Sequence, residues 1–172
     1  MIAEIIAALL GATAAGLIST LVRFYDRRRE AESVLVAIAS EVDSVCRLIR
    51  ANRYRELVEE EMLNLHRGGW ARYGIIIDAR NNYFNVFESL APKMGQIRPQ
   101  QVTKKVNVYA FCKAAIDISR PDGAIYDEGT DNSFIRDNLI SLNSILQAIL
   151  HLGDEIVQFP RRSIRAQPEQ RP

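Results

Sequence analysis

Residues 5–22 read IIAALLGATAAGLISTLV, eighteen positions without a charge. Apolar or small side chains fall on every side of a helix built from this run. A helix on a domain surface shows one apolar stripe and one polar face, so a run that is apolar all round suits complete burial or lipid. At about 1.5 Å per residue it reaches roughly 27 Å, close to the hydrocarbon thickness of a bilayer. The character then changes at once, to Arg23, Asp26, Arg27, Arg28, Arg29 and Glu30. An arginine excess on this side places it in the cytoplasm. No Lys or Arg precedes the run, which argues against a cleaved signal peptide. The pattern predicts a single-pass helix of a bacterial inner membrane over 1–23, with the C-terminal domain cytoplasmic.

From 27 to about 64 there is neither Gly nor Pro. Leu35, Ile38, Val42, Val45 and Ile49 step by three and four, a helix-packing seam. The membrane helix is therefore expected to run straight into this one. Its apolar face continues through Leu57, Val58, Met62 and Leu63 until Gly68 and Gly69 end it. Trp70 and Tyr73 lie in the connection, and the run Ile75, Ile76, Ile77 reads as the start of another helix or a buried connector. Tyr83, Val86, Phe87 and Leu90 then share a face. Pro99 suits the first turn of another helix, expected to turn Val102, Val106, Tyr109, Cys112 and Ile116 inward. Pro121 closes it, because the residue before proline avoids helical geometry. Asp131, Asn132 or Ser133 caps a last helix with Ile135, Leu139, Leu142, Leu146, Ile149 and Ile156 inward, a seam broken near Gly153. Residues 160–172 are polar, basic and proline-bearing, and predict a disordered tail. The class is all-α: an N-terminal transmembrane helix running into a cytoplasmic bundle of about four helices over 24–159.

Charge adds little as a sum, with 22 Lys and Arg against 21 Asp and Glu, and gives no reason to expect nucleic acid as a partner. Its distribution matters more. Arg23, Arg27, Arg28 and Arg29 sit where anionic headgroups would lie. Arg47, Arg50 and Arg53 drift round one side of the next stretch and read either as a ridge for phosphate or an acidic partner, or as a solvated face paired with Glu41, Asp43 and Glu56. Within the membrane run, Ala7, Gly11 and Ala15 form one line of small residues at four-residue spacing, with Ala8, Ala12 and Gly16 beside it. Small residues let helices approach closely in lipid, so the run is expected to pack against copies of itself.

Catalytic chemistry has no foothold. His66 and His151 are the only histidines, and neither has a Ser, Cys or carboxylate at a triad or metal spacing. Glu59, Glu60 and Glu61 point about 100° apart and cannot converge on one ion. Asp122, Asp127, Glu128 and Asp131 lack the spacing of a calcium loop. Cys46 and Cys112 are expected to be buried, reduced thiols. No cofactor, metal or small-molecule substrate is implied, and the chain is not expected to be an enzyme.

The stretches FYDRRRE, YFNVFESLAPKMGQIRP and VNVYAF together resemble uncharacterised small bacterial and mobile-element proteins with one N-terminal span and a helical cytoplasmic domain. The matching residues are Tyr83, Phe87, Lys93, Gly95, Pro99 and Tyr109, and the resemblance implies architecture. A weaker likeness is to small membrane accessory proteins of CRISPR and other antiviral systems, some of them divergent HEPN domains. The HEPN nuclease motif places an Arg four to six residues before a His. Here Glu59, Glu60 and Glu61 stand before His66, and Ser144, Ile145 and Leu146 before His151, so that activity is not implied. Two functions follow as expectations. One is a membrane-anchored, self-associating module, forming a ring or pore in an antiviral or stress response. The other is a soluble helical protein that binds a partner protein and buries its apolar N-terminal helix between subunits.

Overall fold

The computed structural model describes residues 2–68, 77, 84–120, 125 and 131–165, with the side chains of 2–10, 12 and 159–165 excepted. Five helices account for nearly all of it: α1 (Ile2–Ala51), α2 (Tyr54–His66), α3 (Asn85–Leu90), α4 (Pro99–Ser119) and α5 (Asn132–Arg165). A 3-10 segment, Ala91–Gln96, links α3 to α4, and there is no strand among the described residues. The all-helical class is as expected. Trp70, Tyr73, Tyr83, most of the loop after Pro121 and the tail from 166 lie outside the described residues.

The core is a sandwich of seams. Ile38, Val42 and Ile49 on α1 are buried, as are Ile135, Leu139, Leu142, Leu146, Ile149 and Ile156 on α5. Helix α5 lies against α1, α2 and α4, while α3 and the 3-10 segment lie along α1. Pro99 stands in the first turn of α4, and Arg120 takes the extended backbone that a following proline demands.

Three local expectations change. The helix expected to continue to Asn64 is broken at Asn52 and Arg53, where Arg53 takes left-handed geometry (φ 53°, ψ 37°). Left-handed backbone costs a non-glycine residue about 1–2 kcal/mol. The turn offsets this by swinging α2 back onto α5, which buries Val58 completely; full burial of a valine contributes about 1.5–3 kcal/mol. Leu57 and Leu63 are left exposed by the same turn. On α4 the buried face runs through Lys105, Val108, Tyr109, Cys112, Ala115 and Ser119, so Val106 points outward. At the C-terminus, α5 continues to Arg165 through the expected break at Gly153 and past the expected start of the tail at 160.

The first part of α1 differs from the rest. Every residue from 13 to 29 is exposed, and the bundle takes hold only from Val34. Among the described residues no helix is long and apolar enough to cross a membrane. The uncharged stretch whose side chains are continuously described, 13–22, rises only about 15 Å, against roughly 30 Å of hydrocarbon. The side chains of 5–10 lie outside the described residues.

Gly153 marks a close approach of α1 and α5. A Cβ built there would stand 2.3 Å from Cys46 Sγ and 3.3 Å from Val42 Cγ1. Both neighbours are fully packed and have little room to move. Gly153→Ala is therefore expected to destabilise the bundle by about 1–3 kcal/mol, the usual cost of overpacking, read as a lower denaturation midpoint. An unchanged midpoint would mean that the two helices can part without cost.

Candidate functional site

Two carboxylates of α1 fix the half of the bundle nearer the apolar end of that helix. Glu41 accepts hydrogen bonds from the backbone N–H groups of Val86 (2.8 Å) and Phe87 (3.0 Å) at the start of α3. It also accepts from the buried Tyr109 hydroxyl on α4. One side chain thus satisfies two orphan donors of a helix start and a buried phenol. Phe87 stacks on the Tyr109 ring with centroids 3.7 Å apart, and Phe84 meets the same ring edge-on at 5.3 Å. Burial, then the Glu41 carboxylate, pushes the Tyr109 phenol far above its ordinary pKa, so it stays a donor. Nearer the apolar end, Glu30 pairs with Lys93 (2.8 Å) and accepts from Gln96 (3.3 Å), both on the 3-10 segment. Those hydrogen bonds, Lys93 first, hold the Glu30 carboxyl below its ordinary value.

These contacts seat the 3-10 segment and the start of α4 beside α1, just where α1 leaves the bundle. A cleft of about 940 Å³ opens there. Phe24, Arg27 and Arg28 come from α1, and Arg98 from the start of α4. Sequence reasoning had no means of joining Arg98 to the α1 arginines, because the contact spans some seventy residues (98 − 27 = 71) and is made through Glu30, Lys93 and Gln96.

The expected site residues fall into three groups. Arg27 and Arg28 line the cleft, whereas Arg23 and Arg29 are exposed and outside it. Gly11, Ala15 and Gly16 are exposed, and a Cβ at either glycine would meet nothing within 4 Å, while the Ala7 side chain lies outside the described residues. Arg47, Arg50 and Arg53 are not a free ridge. Arg47 pairs with Asp43, and Arg50 forks onto both oxygens of Asp154 at 2.8 Å. Arg53 stands in the turn between α1 and α2. The local pair expected of Asp43 is present, but Glu41 turns inward to Tyr109 instead of pairing with an arginine.

Both cysteines are free and buried. Burial pushes the Cys46 thiol up to about 11 and the Cys112 thiol up to about 12, which leaves neither as a nucleophile near neutrality. His66 and His151 are exposed, and His151 stands 3.5 Å from Glu155. Among the described residues no three His, Cys, Asp or Glu side chains gather as a metal site. No known protein family, characterised protein or solved structure matches this chain.

Lys105 is the one charged residue in the α4 face, buried to 4% exposure with its Nζ donating to Gln101 O at 3.3 Å. Burial, then the charge of Lys104, pulls its pKa from 10.5 down to about 8. Between pH 8 and 10.5 the unfolded chain holds a proton that the folded chain has released. The Lys105 contribution to stability is therefore expected to rise with pH through that window, with the full penalty for burying the charge remaining below it, while the two raised thiols act in the opposite sense above pH 9. Lys105→Met removes the penalty: thermal unfolding of the variant and the wild type at several pH values should show a gain of about 2 kcal/mol at neutral pH, and that gain should shrink between pH 8 and 10.5 as the wild-type lysine sheds its proton. A variant no more stable than the wild type at neutral pH would contradict this.

Proposed function

We propose that the chain is a membrane-anchored helical module that self-associates through its N-terminal helix and holds its bundle at the cytoplasmic face. The observation that carries the reading is the uncovered apolar half of α1. Leu17, Ile18, Leu21 and Val22 are 53–67% exposed among the described residues. Contiguous apolar surface of this kind marks a membrane or protein contact. The uncharged run of 5–22 has the length of a span, and Arg23, Arg27, Arg28 and Arg29 follow it with the polarity expected of a cytoplasmic boundary. Leu17→Lys together with Ile18→Lys tests the anchor. Each lysine near the middle of a span costs about 2.5–3.5 kcal/mol on insertion scales. The double variant should move from the membrane to the soluble fraction. Recovery of the wild type as a soluble protein without detergent would sink the anchor and favour the soluble, partner-binding alternative.

Self-association rests on the small-residue lines. A Cβ built at Gly11 or Gly16 meets nothing within 4 Å. In lipid, such positions let a second backbone come close. Gly11→Ile with Gly16→Ile keeps the helix apolar while blocking that approach. The oligomer, measured by mass in detergent, should dissociate while circular dichroism shows the bundle intact. A ring or pore of copies that perturbs the membrane is the extended form of this proposal, and a wild-type monomer would remove it. An oligomer unaffected by the two isoleucines would transfer assembly to the bundle.

A further inference from the structure

The cleft between α1 and the start of α4 has a composition unlike the other hollows of the bundle. One wall is the α1 face of Phe24, Arg27, Arg28 and Leu35, and the opposite wall is Ile97 and Arg98. Arg28 is engaged with Glu32 at 3.5 Å, the one acidic residue on the lining. Arg27 and Arg98 have no ion pair among the described residues, so two full charges face the hollow without a counter-ion. Helix α4 also starts here. Arg98 is its N-cap and makes no side-chain cap, and the positive end of the helix dipole adds to the same field. The chemistry selects a monoanionic or dianionic phosphate, which two guanidinium groups from opposite walls would hold by charge-assisted hydrogen bonds.

Leu17, Leu21, Phe24, Arg28, Ala31 and Leu35 step by four, three, four, three and four, and so share one face of α1. This face leads from bare apolar helix directly into the cleft. From Leu17 to Arg28 it covers about 16 Å at 1.5 Å per residue. A phospholipid lying along it would set its acyl chains against Leu17, Leu21 and Phe24 with its phosphate between Arg27 and Arg98. From these placements we infer that the cleft is a binding site for the headgroup of an anionic phospholipid. The inference rests on the membrane-anchored reading of α1 for its choice of a lipid over a free phosphate.

The test uses the purified full-length chain in neutral detergent, titrated with short-chain phosphatidylglycerol, phosphatidylcholine of the same chain length, and inorganic phosphate. Bound adducts are counted by native mass spectrometry. Phosphatidylglycerol should bind about tenfold more tightly than either other probe. Arg98→Ala and Arg27→Ala should each weaken it about tenfold, the loss of one charge-assisted contact. Arg29→Ala removes the same charge at the same level of α1 but outside the cleft, and should change binding by less than about twofold. Both Arg98 and Arg27 are exposed and unpaired, so the variants are expected to fold, which circular dichroism checks. Equal losses for Arg29→Ala and Arg98→Ala would overturn the site in favour of diffuse attraction. Equal binding of the two lipids would overturn it as well. Inorganic phosphate binding as tightly as phosphatidylglycerol would overturn the lipid assignment and leave a soluble phosphate ligand. Fractionation of the wild type separately decides the anchor, so failure of the cleft and failure of the membrane reading are read from different measurements.

Discussion

The grip of α5 on the second half of α1 is the contact on which the other placements rest. At Gly153 the two helices come together with no room for a methyl group between the α5 backbone and the Cys46 thiol. Val42 and Cys46 from α1 meet Leu146, Ile149 and Ile156 from α5 in the same core. Because the bundle closes on α1 from Val34 onward, the orientation of the rest of that helix is fixed. An uninterrupted helix is stiff over this length, curving only gently unless proline, glycine pairs or inserted groups kink it. Residues 13–29 thus stand exposed on all sides beyond the bundle, on a helix whose direction the bundle sets.

Glu41 has the complementary role on the other side of α1. A half-buried carboxylate in a helical bundle is unfavourable unless its oxygens are satisfied. Here the Val86 and Phe87 N–H groups and the Tyr109 hydroxyl do so. The short α3, only six residues long, cannot hold its own shape by helix propensity. Its position comes from this carboxylate and from the Phe87–Tyr109 stack. Glu30 repeats the device nearer the apolar end with Lys93 and Gln96. Exposed pairs of that kind are individually worth little. Their importance is positional, because they bring Arg98 to the side of α1 that carries Arg27 and Arg28.

Periodicity made the long seams legible. The 3/4 spacing in α1 and α5 named Ile38, Val42, Leu139, Leu142, Leu146 and Ile149 correctly, and each is buried. Pro99 and Pro121 marked the limits of α4 for reasons local to the backbone. What periodicity could not show was a turn marked by neither glycine nor proline. Nothing in Ala51, Asn52, Arg53 and Tyr54 demands a left-handed residue, and only the tertiary gain from folding Val58 onto α5 selects it. On α4, Tyr109 and Cys112 are buried as the spacing expects, but Lys105 takes an inward position while its neighbour Val106 points out. The four-carbon stem of lysine is apolar enough to fill such a position when its ammonium finds a backbone carbonyl. At the site, the α1 arginines were visible as a cluster, but their partner Arg98 depended on a long-range contact. The same applies to Arg50, whose acid partner Asp154 lies over a hundred residues away.

The arrangement of charge around α1 bears on what covers its apolar half. At about 100° per residue, Arg23, Arg27, Arg28 and Arg29 point to roughly 0°, 40°, 140° and 240° around the axis. They surround the helix within about 9 Å of its length instead of lying along one side. The residues just before them, from 13 to 22, are likewise exposed and uncharged on all sides. A helix designed to dock on one protein partner needs an apolar stripe and leaves its opposite face polar. A rod that crosses a planar boundary needs an uncharged cylinder that ends in charges all round. The circular placement therefore favours the anchored reading over the soluble one. Of the four arginines, Arg27 and Arg28 line the cleft, while Arg23 and Arg29 are exposed outside it.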